Sequence, residues 1–370
     1  MNLQWIIFLA VLFIIIQSWL FKRLAFKGLQ YGRFFSVPAV FEGQEIEMVE
    51  IIANRKLLPI PWLRVESKID ENLEFAKQFN LDIKHNQFHK SFFTLMPYMK
   101  ITRRHKVRCK KRGCYFLNSV SLTCGDLFGV QEVSRTYNLS ACILVYPSLV
   151  PIDEIPFPSH SYMGDVVVKR WIVEDPFMYS GVRDYQSGDP LNYINWKATA
   201  RAGKLQVHKR DYTADPKLMI YLNLDISEDM WDAVTDPELI EKGISYAASI
   251  AQYAISNGID TGFGCNGYLI DEPGKPVRIP PKSGIAHLTY LFEAMAKLVI
   301  EREVTFYTFL EEDIQSGITA TDFLFITPYI SERIENQMAR LRDRGNEVEI
   351  LYLKREKHLD AAEKLLEDSA

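Results

Sequence analysis

An acidic loop near the middle of the sequence contains the side chains best placed to bind a metal. The apolar run KLMIYLNL, residues 217–224, has the composition of a buried strand, and Asp225, Ser227 and Asp229 follow it at alternate positions. Oxygen-bearing side chains spaced in this way on a loop can point together at a hard cation. The spacing predicts a candidate site for a divalent ion such as Mg²⁺. Alternatively, Asp225 and Ser227 cap the turn and accept hydrogen bonds from loop amides.

A second candidate is the segment SGVRDYQSGDPLNYINWKATARAGKLQVHKRD, residues 180–211, which mixes aromatic residues with six cations and three acids. Its pattern predicts a turn at 188–190, a short helix over 191–199 with Trp196 facing inward, and a strand over 205–208.

The charges of this segment suggest internal ion pairs. Arg183 and Arg201 are suited to bidentate pairing with Asp184 or Asp189, because a guanidinium matches the geometry of a carboxylate. Such pairs would brace the segment against the rest of the chain. Anion binding or catalysis is the alternative use of the same residues.

The run R-D-Y-x-x-G-D-x-x-x-x-I-N-W-K-A-x-A-R, residues 183–201, resembles the signature of a bacterial family called domain of unknown function 58. The upstream segments KRGCYFLNSVSLTCGDLFGV, VYPSLVPI and EGQEIEMVEIIANRKLLPIPWL resemble the corresponding parts of that family, so the resemblance extends over nearly the whole chain. It assigns signature or binding roles to Arg183, Asp184, Tyr185, Gly188, Asp189, Asn195, Trp196, Lys197, Ala200 and Arg201.

The resemblance also implies an architecture and a partner. Members look like membrane-anchored proteins with a von Willebrand A-like domain, and they are often encoded beside MoxR-type AAA+ ATPases. The loop at Asp225 resembles the D-x-S-x-S opening of von Willebrand A metal sites. It departs from that pattern because Asp229 stands at the third position and Thr327-Pro328 supplies no carboxylate at the later strand end.

The N-terminus has the properties of a membrane anchor. The run from Leu3 to Phe21 is apolar and uncharged, and its length matches the roughly 20 residues that a bilayer core requires. No basic region precedes it, which argues against a cleaved signal peptide. The cations Lys22, Arg23, Lys27 and Arg33 follow it and favour a cytoplasmic body. The prediction is a single-pass protein of the cell membrane, with residues 3–21 in lipid and the N-terminus outside.

Periodicity predicts a multidomain α+β fold. Residues 1–26 form the anchor, the alternating pattern of 30–150 predicts a β-sandwich, and 151–215 form a connector with the signature segment. Apolar strands alternate with amphipathic helices over 216–355, which predicts a von Willebrand A-like, doubly wound α/β domain with a mostly parallel sheet. A polar tail spans 356–370.

Other classes of function are disfavoured. The formal net charge is −4 and the basic run at 103–112 has no aromatic ladder, so nucleic-acid binding is not expected. Common nucleotide, serine-hydrolase and zinc-protease motifs are absent, and His85 and His89 are interpreted as surface residues. Two hypotheses follow: a membrane-tethered interaction protein whose partner is an AAA+ ATPase, or a divalent-metal-dependent enzyme or ion-bridged binding protein that uses the Asp225 loop.

Overall fold

A computed structural model describes residues 3–75, 88–157, 174–185, 194–212, 217–228, 235–319 and 321–354. The chain divides into two compact units, Met1–Ser148 and Leu149–Ala370. The six described α-helices are α1 (Leu3–Leu24), α2 (Trp196–Ala202), α3 (Pro237–Ser256), α4 (Ile285–Lys297), α5 (Phe306–Gln315) and α6 (Glu332–Asp343).

The first unit is β-rich, as the alternating pattern predicts. Its strands are β1 (Leu29–Phe35), β2 (Ala39–Phe41), β3 (Glu45–Asn54), β4 (Ile60–Lys68), β5 (Leu73–Phe75), β6 (Phe88–Leu95), β7 (Lys100–Cys109), β8 (Gly113–Gly125) and β9 (Glu132–Tyr146). They form a four-stranded sheet, β1-β3-β7-β5, and a five-stranded sheet, β2-β9-β8-β4-β6. Two hydrophobic clusters contain side chains from both sheets, so the core lies between them.

Helix α1 is long and apolar enough to cross a membrane. Its side chains are exposed from Gln4 to Phe13, whereas Phe21 and the following Ala25 are buried in the core of the first unit. Lys22 and Arg23 occupy its last turn, where cations favour the helix dipole. The helix is thus joined to a folded body without a loose linker.

The interpretation of His89 as a surface residue is wrong, because this residue is 2% exposed. Arg33, one of the cations that follow the apolar run, is also buried, and its side chain lies 3.5 Å from Glu50. In both cases a polar side chain occupies an inward position of a strand, where its partner on another strand is far away in sequence.

The second unit contains β10 (Glu174–Asp184) and β11 (Gln206–Tyr212), which pair as an antiparallel ribbon. Its five-stranded sheet has the order β15-β13-β12-β17-β18, formed by β12 (Lys217–Leu222), β13 (Asp260–Cys265), β15 (Val277–Lys282), β17 (Asp322–Thr327) and β18 (Val348–Tyr352). Strands β13, β12, β17 and β18 are parallel, while β15 is an antiparallel edge. Two-residue strands β14 (Tyr268–Leu269) and β16 (Leu298–Val299) pair separately.

Helices cover both faces of this sheet. Met219 and Tyr221 of β12 pack in one cluster with residues of α5 and α6. On the opposite face, a Cβ added to Gly243 of α3 would lie 2.9 Å from Leu222 Cδ1. The mixed α/β prediction is confirmed. The sequence reading did not include α5 and β15.

Candidate functional site at the carboxyl edge of the sheet

The carboxyl ends of three parallel strands place buried polar side chains together. Asn223 follows β12, Asn266 follows β13, and Thr327 ends β17. Asn223 Nδ2 donates to Thr327 Oγ1 at 3.0 Å and to the Tyr329 carbonyl at 3.3 Å. All three side chains are fully buried. Their amides and hydroxyl therefore link neighbouring strand ends by hydrogen bonds.

Asp225 is the charged residue of this edge, and donors surround its carboxylate. Oδ1 accepts from Asn266 Nδ2 at 3.0 Å, and Oδ2 accepts from the Phe306 backbone N–H at 2.8 Å, at the start of α5. Arg302 Nη1 lies 3.9 Å from Oδ1. Burial raises the pKa of Asp225, and the bonds from Phe306 and Asn266 and the Arg302 charge oppose that rise. The carboxylate anchors the N-terminus of α5, where a negative charge is favourable.

The Asp225 carboxylate accepts two N–H donors and lies near the Arg302 guanidinium, so an ion bound there would share its oxygens with these groups and would need further oxygen ligands. The divalent-ion site at Asp225, Ser227 and Asp229 stays a prediction. Ser227 is exposed, and Asp229 lies outside the described residues. Among the residues that the structure describes, no group of three His, Cys, Asp or Glu is arranged to hold a metal. The arrangement resembles the alternative in which Asp225 accepts hydrogen bonds from backbone amides, here from the Phe306 N–H.

The signature segment forms a strand and a short helix. Asn195 caps α2, because its side chain accepts from the Ala198 N–H at 2.9 Å. Asp184, at the end of β10, accepts from Lys204 Nζ at 2.6 Å and from the Gln206 side-chain amide. Tyr185 N donates to the Leu205 carbonyl at 3.0 Å. The start of the signature is thus hydrogen-bonded to the residues that follow it, at the beginning of β11.

The prediction that Trp196 faces inward is wrong. The side chain is 69% exposed, at the first residue of the helix Trp196–Ala202. Lys197, Ala200 and Arg201 are also exposed on this helix. Gly188, Asp189 and the Arg183 side chain lie outside the described residues, so the predicted arginine pairs remain predictions.

Comparison with known proteins agrees with the signature. Residues 181–347 match the model of a family described as Protein of unknown function DUF58. The DUF58 match begins in β10 and ends before β18, so it includes the signature helix and most of the α/β sheet. The first unit lies outside it.

One distant relative is the uncharacterized protein YeaD of Bacillus subtilis. It is 20% identical over 296 residues, which cover 79% of this chain and 68% of YeaD. This similarity is longer than the DUF58 match.

Solved structures are similar only in part. A non-cellulosomal cohesin from Archaeoglobus fulgidus gives a TM-score of 0.24 at 11% identity over 31% of this chain and 91% of the cohesin. A CARDB domain from Pyrococcus furiosus gives 0.20 at 14% identity over 31% of this chain and 91% of that one. Similarities this low carry no argument about fold or function.

A second buried polar cluster lies in the first unit, outside the DUF58 match. Arg33 Nη1 donates to Ser67 Oγ at 2.7 Å, and Arg33 Nη2 lies 3.3 Å from His89 Nδ1. Glu50 accepts from Tyr31 OH at 2.7 Å and lies 3.3 Å from His105 Nε2. These side chains come from both sheets and meet in the space between them. Their charges are paired, as burial requires.

The sequence reading missed Asn223, Asn266, Arg302 and the Arg33–Glu50 cluster. Asn223 and Asn266 each follow an apolar strand directly, as the acidic loop at Asp225 does, and this placement could have identified them as residues of the carboxyl edge. The partners of Arg33 carried no such signal, because Ser67 and His89 are 34 and 56 residues away.

Proposed function

We propose that this protein is a membrane-tethered interaction protein whose α/β unit, von Willebrand A-like in design, binds a cytosolic protein partner. The family resemblance suggests a MoxR-type AAA+ ATPase as that partner. Helix α1 is the tether, and the cytoplasm is the compartment that the cations at Lys22, Arg23 and Lys27 favour.

The observation that carries the proposal is that the polar centre at the carboxyl edge is hydrogen-bonded within the protein itself. Both carboxylate oxygens of Asp225 accept hydrogen bonds from the protein itself, so the centre holds loops in place. A catalytic centre would instead present groups to a substrate. Ser227, Glu228 and Arg333 are exposed around the same loops and are available for contact with a partner.

The proposal is tested by site-specific photo-cross-linking in native membranes. A photoreactive residue at Glu228 lies at the carboxyl edge, and a matched control at Lys217 lies at the opposite end of the same strand. We expect one protein adduct at Glu228 and none at Lys217. No adduct at Glu228, or the same adducts at both positions, would contradict the proposal.

Two substitutions refine this experiment. Asp225→Ala should weaken the adduct by releasing the loop, and Arg201→Ala tests whether the exposed face of α2 also contacts the partner. Circular dichroism of each variant shows whether the fold is intact. An adduct at Glu228 that persists unchanged in both variants would show that neither the Asp225 carboxylate nor the Arg201 side chain is needed for this contact.

A further inference from the structure

The end of the first unit from which α1 emerges exposes a group of large apolar side chains on three loops. The residues are Leu57 between β3 and β4, Met96, Tyr98 and Met99 between β6 and β7, and Leu127, Phe128 and Val130 between β8 and β9. We name them the apolar rim. Exposed apolar side chains that cluster in this way mark an interaction surface.

Backbone and side-chain hydrogen bonds fix two of these loops around the end of α1. Lys56 Nζ donates to the Leu24 carbonyl at 2.8 Å and to the carbonyl of Ala25. Tyr98 N donates to the Lys56 carbonyl at 3.3 Å. The loop containing Leu57 is thus tied both to the helix and to the loop containing Tyr98.

The third loop, the tip of the β8–β9 hairpin, contacts the helix at a different height. Ser18 Oγ donates to Asp126 Oδ2 at 2.7 Å, in a buried bond. Ser18 precedes Leu24 by six residues, or about 9 Å along a helix that rises 1.5 Å per residue. The hairpin tip therefore lies alongside α1, further toward its N-terminus than the other two loops.

Helix length places this contact near the membrane boundary. At 22 residues, α1 is about 33 Å long, close to the roughly 30 Å thickness of a bilayer core. If α1 spans the bilayer, almost all of its residues must lie in lipid, so the boundary between lipid and water falls within about one turn of Trp19. Because Asp126 is bonded to Ser18, the neighbouring Leu127 and Phe128 lie near this boundary as well.

We infer that the apolar rim inserts into the interfacial layer of the bilayer that α1 crosses, with Phe128 and Leu127 deepest. This inference rests on the proposed membrane tether and adds a second contact with lipid. Tyr98 has the amphipathic character favoured in this layer. Arg23 and Arg135 lie against the rings of Trp19 and Phe26 and can extend their charges to the head groups. The rim would hold the first unit at a fixed tilt on the membrane surface.

Depth-dependent quenching in liposomes tests the inference. The full chain, with Cys114 and Cys142 replaced by Ser, receives a single cysteine that carries an environment-sensitive fluorophore. The other three cysteines are buried and should not label. The vesicles contain phosphatidylcholine and phosphatidylglycerol, with nitroxide-bearing lipids as quenchers. The unsubstituted background reports residual labelling.

Three positions give distinct expectations. Phe13→Cys reports the span of α1, Phe128→Cys reports the rim, and Phe116→Cys is the control. Phe116 is exposed on β8, about 30 Å from the hairpin tip at 3.4 Å per residue. We expect strong quenching at Phe13, quenching by shallow nitroxides at Phe128, and several-fold weaker quenching at Phe116.

The outcomes separate this inference from the tether. Quenching at Phe13 with Phe128 no more quenched than Phe116 would overturn the rim and leave the tether intact. Absence of quenching at Phe13 would overturn the tether itself. Leu57→Cys, on a different loop, supplies a second rim position if Phe128→Cys disturbs the hairpin.

Discussion

Asn266 Nδ2 donates to Asp225 Oδ1 at 3.0 Å, and the same amide nitrogen also reaches the Val304 carbonyl at 3.1 Å. Its Oδ1 accepts from the Leu224 N–H at 2.9 Å. One buried side chain therefore connects the ends of β12 and β13 with the loop that leads into α5. A pair of residues 41 positions apart in sequence organises the candidate binding edge.

Removing this side chain should destabilise the α/β unit. Asn266→Ala leaves buried backbone groups without partners, and we expect a loss of about 1–3 kcal/mol in the free energy of unfolding. Ser227→Ala, an exposed change on the same edge, should stay within about 0.5 kcal/mol of the parent. Urea unfolding of the detergent-solubilised chain, with hydrogen exchange at β12 as the probe, measures the stability of both variants. Equal stabilities would refute the structural role of Asn266.

Divalent ions should not stabilise the protein. Because N–H donors occupy both oxygens of Asp225, millimolar Mg²⁺ or Mn²⁺ should leave the melting temperature unchanged relative to EDTA. Asp225→Asn serves as the comparison. An upward shift in the parent that is absent from Asp225→Asn would contradict this expectation and support the metal site predicted at Asp225, Ser227 and Asp229.

Acidification should destabilise the first unit in two pH windows. Burial and the Arg33 charge lower the pKa of His89 from 6.5 to about 3. As the pH falls through this range, the unfolded chain binds a proton at His89 that the folded chain does not bind, so the folded state loses stability. Burial acts to raise the pKa of Glu50, but His105 and Arg33 outweigh it and lower that pKa from 4.5 to about 2. Stability from the Glu50 carboxylate is therefore lost below pH 4.5.

His89→Phe separates these two windows. It should flatten the stability profile between about pH 6.5 and 5, where the His89 contribution amounts to about 1–2 kcal/mol. The loss at lower pH, which comes from Glu50, should remain. Urea midpoints at a series of pH values give both profiles. Identical profiles for parent and variant would show that His89 is not the responsible group.

Close packing on the α/β sheet should make Gly264 intolerant of a side chain. A Cβ at this position would lie 2.5 Å from Cε1 of the buried Tyr221 ring, so Gly264→Ala should cost about 1–3 kcal/mol. Gly32→Ala is the control, since no atom lies within 4 Å of its added Cβ and its φ is ordinary. Thermal unfolding of the two variants compares them. A stable Gly264→Ala variant would show that the ring can move.

The predicted membrane orientation is open to a direct test. A protease-sensitive tag at Met1 should be cleaved in intact cells, because the cations that follow α1 favour the cytoplasmic side for the body. The same tag attached to Ala370 should be protected. Protection of the Met1 tag with cleavage of the Ala370 tag would reverse the topology.

The sequence alone determined the features that depend on local pattern. The apolar run from Leu3 identified α1, and the dipeptide Asp236-Pro237 is a local helix-start pattern that the structure uses at α3, where Asp236 caps the helix. Gly258 and Gly345 have the positive φ values expected after helices. Propensity, capping and hydrophobic period act over a few residues, so they are visible in the chain.

The tertiary structure decided which polar groups meet. In sequence Asp225 is a candidate metal ligand because Ser227 and Asp229 follow it, and only the tertiary structure shows that its carboxylate also bonds to Asn266 and Phe306 and lies near Arg302. The apolar rim likewise joins loops separated by tens of residues. Strand order and register bring such groups together, and both depend on which segments, distant in sequence, pack their buried faces against one another.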